Sequence, residues 1–83
     1  MGTYDTKNLY LACFLRVRGY KMVDLERYGG KVHFVMEDRP ERHDDIKSYY
    51  SGAEVVATDF AKALTELKSM IYDWKPGKPS EKQ

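Results

Sequence analysis

Two histidines, one cysteine and thirteen acids are the side chains of this chain best suited to catalysis or metal binding. His43 stands beside Asp44 and Asp45, just after Glu41, an oxygen- and imidazole-rich set of the kind that holds a divalent cation. Adjacent acids diverge on a helix, however, and His43 has no second ligand at i, i+4. A solvated helix face is the simpler reading. His33 falls in an alternating stretch where a hairpin would set Glu26 opposite it. An exposed cross-strand pair of that kind contributes about a few tenths of a kcal/mol. Acid–base catalysis would need a cleft there, which the open side of a small ribbon does not form. Cys13 is flanked by Leu11, Ala12, Phe14 and Leu15, the reverse of the electropositive, accessible setting a reactive thiol requires. It reads as core. Gly29-Gly30 joins strand to strand and not strand to helix, so it is no phosphate loop. No nucleophile is paired with a base. These residues give no catalytic, cofactor or metal site, and a non-enzyme with no small-molecule substrate is the expectation.

Two binding chemistries remain. Between Arg16 and Lys31, five basic residues (Arg16, Arg18, Lys21, Arg27, Lys31) face two acids, Asp24 and Glu26, with Tyr20 and Tyr28 interleaved. Such a set suits a phosphate backbone with stacked bases. The plainer account makes the cations solubilising groups and lets the two tyrosines close the core. From Glu37 to Asp45 the balance reverses, with five acids against Arg39 and Arg42. The other chemistry is protein association. Tyr49, Tyr50, Tyr72 and Trp74 are the aromatic residues expected to anchor it, since surplus apolar surface normally marks an interface. A symmetric homodimer is the simplest closure.

These residues depend on a few elements. Leu9 to Leu15 is an unbroken run of seven apolar or semi-apolar residues. As a helix of roughly Lys7 to Arg18, with Asp5 or Thr6 as N-cap and Gly19 at its end, it has no single apolar stripe. A helix hydrophobic all round is buried on more than one side. The rest of the chain must wrap it, or a second copy must.

Next, Tyr20–Tyr28 and Lys31–Asp38 alternate as two strands of a hairpin turned by Gly29-Gly30. Tyr28 opposite Lys31 sets Leu25 against Phe34, Val23 against Met36 and Arg27 against Val32 on one face. The other face takes Asp24 with Val35, Glu26 with His33, and Met22 with Glu37. The greasier face seats the first helix. Pro40 suits the first position of a second helix, with Ile46, Tyr49 and Tyr50 on its apolar side and Gly52 as its stop. Ala53–Ala57 leans toward a short third strand. Thr58 then caps a helix from Asp59 to about Trp74, whose Phe60, Leu64, Leu67, Ile71 and Trp74 form a stripe with Ala63 alongside. The link from Gly52 to Ala57 is longer than a helix-turn-helix connection, and this last helix carries a hydrophobic face.

The chain has 83 residues and a net charge of +1; its 42% hydrophobic and 33% charged content suits one small globular domain. That net charge favours neither nucleic acid nor membrane as a partner. A lone cysteine forms no internal disulfide, the apolar run is far below a membrane span, and the start is not a signal peptide. A cytoplasmic location is the expectation. Residues 1–5 read as a lead and 6–74 as a single domain. The Lys/Pro-rich 75–83 reads as a disordered tail, three lysines against Glu81.

The segments T-K-N-L-Y-L-A-C-F-L (Thr6–Leu15), Gly19-Tyr20 and Gly30-Lys31-Val32-His33-Phe34 resemble the front half of a small bacterial and phage-associated family of unknown function. Tyr49-Tyr50-Ser51-Gly52, Phe60, Ala63, Leu67-Lys68-Ser69 and Ile71-Tyr72 are similar to its back half. The resemblance implies a prokaryotic α+β domain with no assigned reaction and no catalytic residues to carry over. The expected architecture is α-β-β-α-(β)-α, a small antiparallel sheet with helices on one face. The expected role is non-catalytic binding of a protein or of itself, with nucleic-acid binding as the alternative.

Overall fold

A computed structural model describes residues 2–73. Trp74 and the expected tail, 75–83, lie outside the described residues. The elements run β1 (Thr3–Thr6), α1 (Leu9–Val17), β2 (Met22–Tyr28), β3 (Lys31–Glu37), α2 (Arg42–Tyr50) and α3 (Ala57–Asp73). The three strands form one antiparallel sheet in the order β1-β3-β2, so the fold is α+β.

α1 is the enclosed rod of this architecture. Leu11, Ala12, Cys13, Phe14 and Leu15 are all buried, five consecutive positions that together face every direction around the helix axis. The inner face of the sheet meets them with Leu25, Phe34 and Met36, α3 with Ala63 and Leu67, and α2 through Tyr49, whose ring is 5.4 Å from that of Phe14. Asn8 caps α1, its side chain accepting from the amides of Tyr10 and Leu11. Asp5 and Thr6, the expected caps, belong to β1 instead, and Thr6 Oγ1 receives the Asn8 amide. Gly19, at φ 98°, ends the helix as its sequence position indicates.

The hairpin keeps the expected register near its turn, from Tyr28↔Lys31 through Asp24↔Val35. Gly29 and Gly30 both have positive φ, as the two-residue turn requires. Farther from the turn a bulge intervenes between Met22 and Asp24, so Met22 and not Val23 lies against Met36. The extra residue changes the phase of the strand. Val23 is thereby left 56% exposed, and Glu37 loses the expected Met22 partner and accepts the Lys21 amide through its carboxylate.

The third strand comes from the start of the chain and not from Ala53–Ala57. Thr3–Thr6 pairs with β3 along its free side, so both sides of β3 are taken by β1 and β2. The 53–56 segment forms no strand: Gly52 (φ 84°) ends α2, the Ala53 amide bonds back to Ser48, and α3 begins at Ala57. Residues 3–5 therefore belong to the sheet and are not a lead. Pro40 sits in the turn before α2, which starts at Arg42. α3 begins two residues earlier than Asp59 and keeps the stripe of Phe60, Leu64, Leu67 and Ile71 toward the core.

Shortening a side chain of the enclosed helix should be far more costly than shortening the one the bulge expels. Leu15→Ala is expected to lower unfolding stability by about 2–5 kcal/mol in urea titrations. Val23→Ala should change it by less than about 0.5 kcal/mol.

Candidate interaction surfaces

Most of the expected binding cations hold the fold together. Arg16, at the end of α1, donates to the Tyr20 carbonyl (3.0 Å) and to Glu66 of α3 (3.1 Å). Arg18 pairs with Asp45 of α2 at 2.9 Å. Arg27 donates to the Ile71 carbonyl at 2.6 Å, tying β2 to the end of α3. Lys21 and Lys31 are exposed. The five residues are thus distributed over separate ties and do not converge on one patch. Of the interleaved tyrosines, Tyr20 is wholly buried and Tyr28 is exposed.

A recurring arrangement braces neighbouring elements: an aromatic ring, a guanidinium lying over it, and a carboxylate paired with that guanidinium. Arg18 lies over Phe14 (4.8 Å to the ring centroid) and pairs with Asp45. Arg39 lies over Tyr20 (4.6 Å) and pairs with Glu37 at 2.9 Å. Arg42 lies over Tyr4 (4.4 Å) and pairs with Asp38 at 3.0 Å. Asp45 is the deepest of these acids; besides Arg18 it accepts the Tyr20 hydroxyl at 2.7 Å. Burial, then that hydrogen bond, pushes the Tyr20 phenol well above its usual range. Asp45 therefore turns inward, away from His43 and Asp44, and no group of three metal-ligating side chains forms among the described residues.

The Lys21 amide, followed by Arg39, holds the Glu37 carboxyl below its ordinary range, and Arg42 does the same for Asp38. Cys13 is shut inside α1, where burial raises its thiol to about 11. So enclosed and so seldom ionised, that thiol is a poor nucleophile.

The aromatic candidates behave differently. Tyr49 is half-buried between Phe14 and Tyr50, and its ring meets that of Tyr50 edge-on at 5.0 Å. Tyr50 is 69% exposed and Tyr72 83%. A chain of rings thus runs from the core through Tyr49 to an exposed tyrosine at the end of α2. Trp74 lies outside the described residues.

The face of the sheet away from the helices carries Asp5, Asp24, Glu26, His33 and Val35. Glu26 is opposite His33 in register but takes the Tyr28 hydroxyl, while His33 Nδ1 approaches Asp5 at 3.6 Å. The meeting of Arg39 with Tyr20 and of Tyr20 with Asp45 escapes a reading of the sequence because Arg39 reaches back 20 residues to the Gly19 carbonyl and Asp45 lies 25 residues beyond Tyr20. Only Asp38 and Arg42, four residues apart, carry a local signal.

Two outcomes test this layout. At pH 8 the native Cys13 thiol should react with a disulfide reagent at least about 100-fold more slowly than in denaturant, given its raised pKa. Glu37 and Asp38 have folded pKa values below their unfolded ones, so their contribution is complete above the ordinary carboxylate range. It is lost as pH falls through the folded values. Thermal melts from pH 7 to 2 should show this decline, and a Glu37→Gln/Asp38→Asn double variant should show a shallower one.

No helix among the described residues is long and apolar enough to cross a membrane. No curated protein and no solved structure matches the chain. A family model, the DUF5659 domain of unknown function, matches residues 1–73, which takes in every described residue, and the chain belongs to that family.

Proposed function

We propose that this protein is a non-catalytic interaction module of a bacterial cytoplasm that associates with a second copy of itself through its exposed tyrosines. The observation that carries this reading is Tyr50, 69% exposed yet held edge-on by Tyr49, which itself packs on buried Phe14. A ring fixed from behind loses little conformational freedom on binding, which is why such residues serve as interface anchors. Tyr72, on α3, supplies a second exposed ring.

A nucleic-acid role is the second reading. It draws on exposed Lys21 and Lys31 and on whatever of Arg16, Arg18 and Arg27 remains accessible beyond their internal ties. Its support is weaker because the cations are dispersed. Salt-dependent binding to short oligonucleotides would bring it forward.

Sedimentation equilibrium over a wide concentration range tests the first reading. The mass should rise above the 9.7 kDa monomer with concentration, and a Tyr50→Ala/Tyr72→Ala variant should stay monomeric with an unchanged melting temperature. A wild-type chain that remains a monomer throughout removes self-association.

A further inference from the structure

We infer that the open face of the sheet is a docking site for an arginine-bearing segment of a partner protein, centred on Tyr28 and the carboxylates around it. The fold itself shows what such a group of residues holds. Phe14 with Asp45, Tyr20 with Glu37 and Tyr4 with Asp38 are three pairings of ring and carboxylate, each completed by a stacked arginine of the same chain. Tyr28 is the fourth ring of this kind. It is 56% exposed, bonded through its hydroxyl to Glu26, and set edge-on to His33 with centroids 4.8 Å apart. Asp5 and Asp24 also lie near enough to act on its phenol. Among the described residues no lysine or arginine pairs with Asp5, Asp24 or Glu26, and unlike the other acids without such a partner these three share one face of the sheet around an exposed ring.

The occupant follows from charge. The core contacts of all three helices are with the other side of the sheet, and on this face three carboxylates against the single cation Lys31, opposite Tyr28, disfavour both a nucleic-acid backbone and an identical face on a second copy. The His, Asp and Glu side chains do not gather closely enough to hold a metal ion. A guanidinium satisfies both parts of the site at once, its plane on the ring and its N–H groups on Glu26 or Asp24. Val35, buried in the central strand between Asp5 and Asp24, gives the face a firm floor. This surface is distinct from the tyrosines at the ends of α2 and α3.

The test uses the full chain and a Gly-Ser peptide with spaced arginines, beside the same peptide with lysines. Amide chemical shifts at low salt should move at Tyr28, His33, Glu26 and Asp24. Tyr28→Leu and Glu26→Gln, both at exposed or half-exposed positions, should each weaken arginine-peptide binding by about threefold to tenfold. The lysine peptide should bind more weakly than the arginine peptide. Tyr50→Ala/Tyr72→Ala should leave peptide binding unchanged, so loss of self-association and loss of this site are read separately. Absence of arginine-peptide binding overturns the inference. Equal binding of the two peptides also overturns it, as does binding unaltered in both variants whose melting curves match the wild type.

Discussion

A short helix with five consecutive buried residues dictates how the rest of this chain is arranged. Leu11 through Leu15 are buried in sequence, and consecutive residues on a helix point in directions about 100° apart. No single neighbouring layer can cover all of them. The sheet, α3 and α2 must all be present before the helix is enclosed, so the small domain folds around α1 or not at all. This explains why nearly every apolar residue of the hairpin's inner face and of the α3 stripe belongs to one cluster.

The charged residues serve the same enclosure from outside. Arg16, Arg18, Arg39 and Arg42 reach from one element to another or brace the segment between β3 and α2, and each is matched to an acid. Three of them also lie over rings, where the aliphatic stem and the flat guanidinium cover apolar surface that a thin core leaves bare. A basic stretch of sequence thereby becomes internal mortar, while Asp5, Asp24 and Glu26, without such partners, share the opposite side of the sheet. The two surfaces on which the proposals rest, one aromatic and one acidic, are both carried by this braced core.

Several parts of this arrangement were legible in advance because their causes are local. Gly29-Gly30 sets the turn and therefore the first pairs of the ladder; Gly19 and Gly52 stop two helices; the spacing of Phe60, Leu64, Leu67 and Ile71 marks the buried side of a third. The family resemblance, carried by apolar and turn positions, agrees with the match over residues 1–73. What misled was the strand near Ala53–Val56, whose two valines have the right shape but no free sheet edge beside β3. The bulge at Val23 was equally hidden, since strict alternation carries no sign of one added residue.

Sequence by itself determined the three helices, the hairpin with its register near the turn, and the burial of Cys13 within a helix covered on several sides, because each depends on neighbours a few residues away. Tertiary structure alone decided which end of the chain supplies the third strand, where Asp45 meets Tyr20, and which cations are tied down. Those outcomes rest on pairs as far apart as Tyr20 and Asp45, or Arg16 and Glu66. Residue type gives a guanidinium its charge and a ring its face; only the folded chain determines whether they find each other or remain open to a partner.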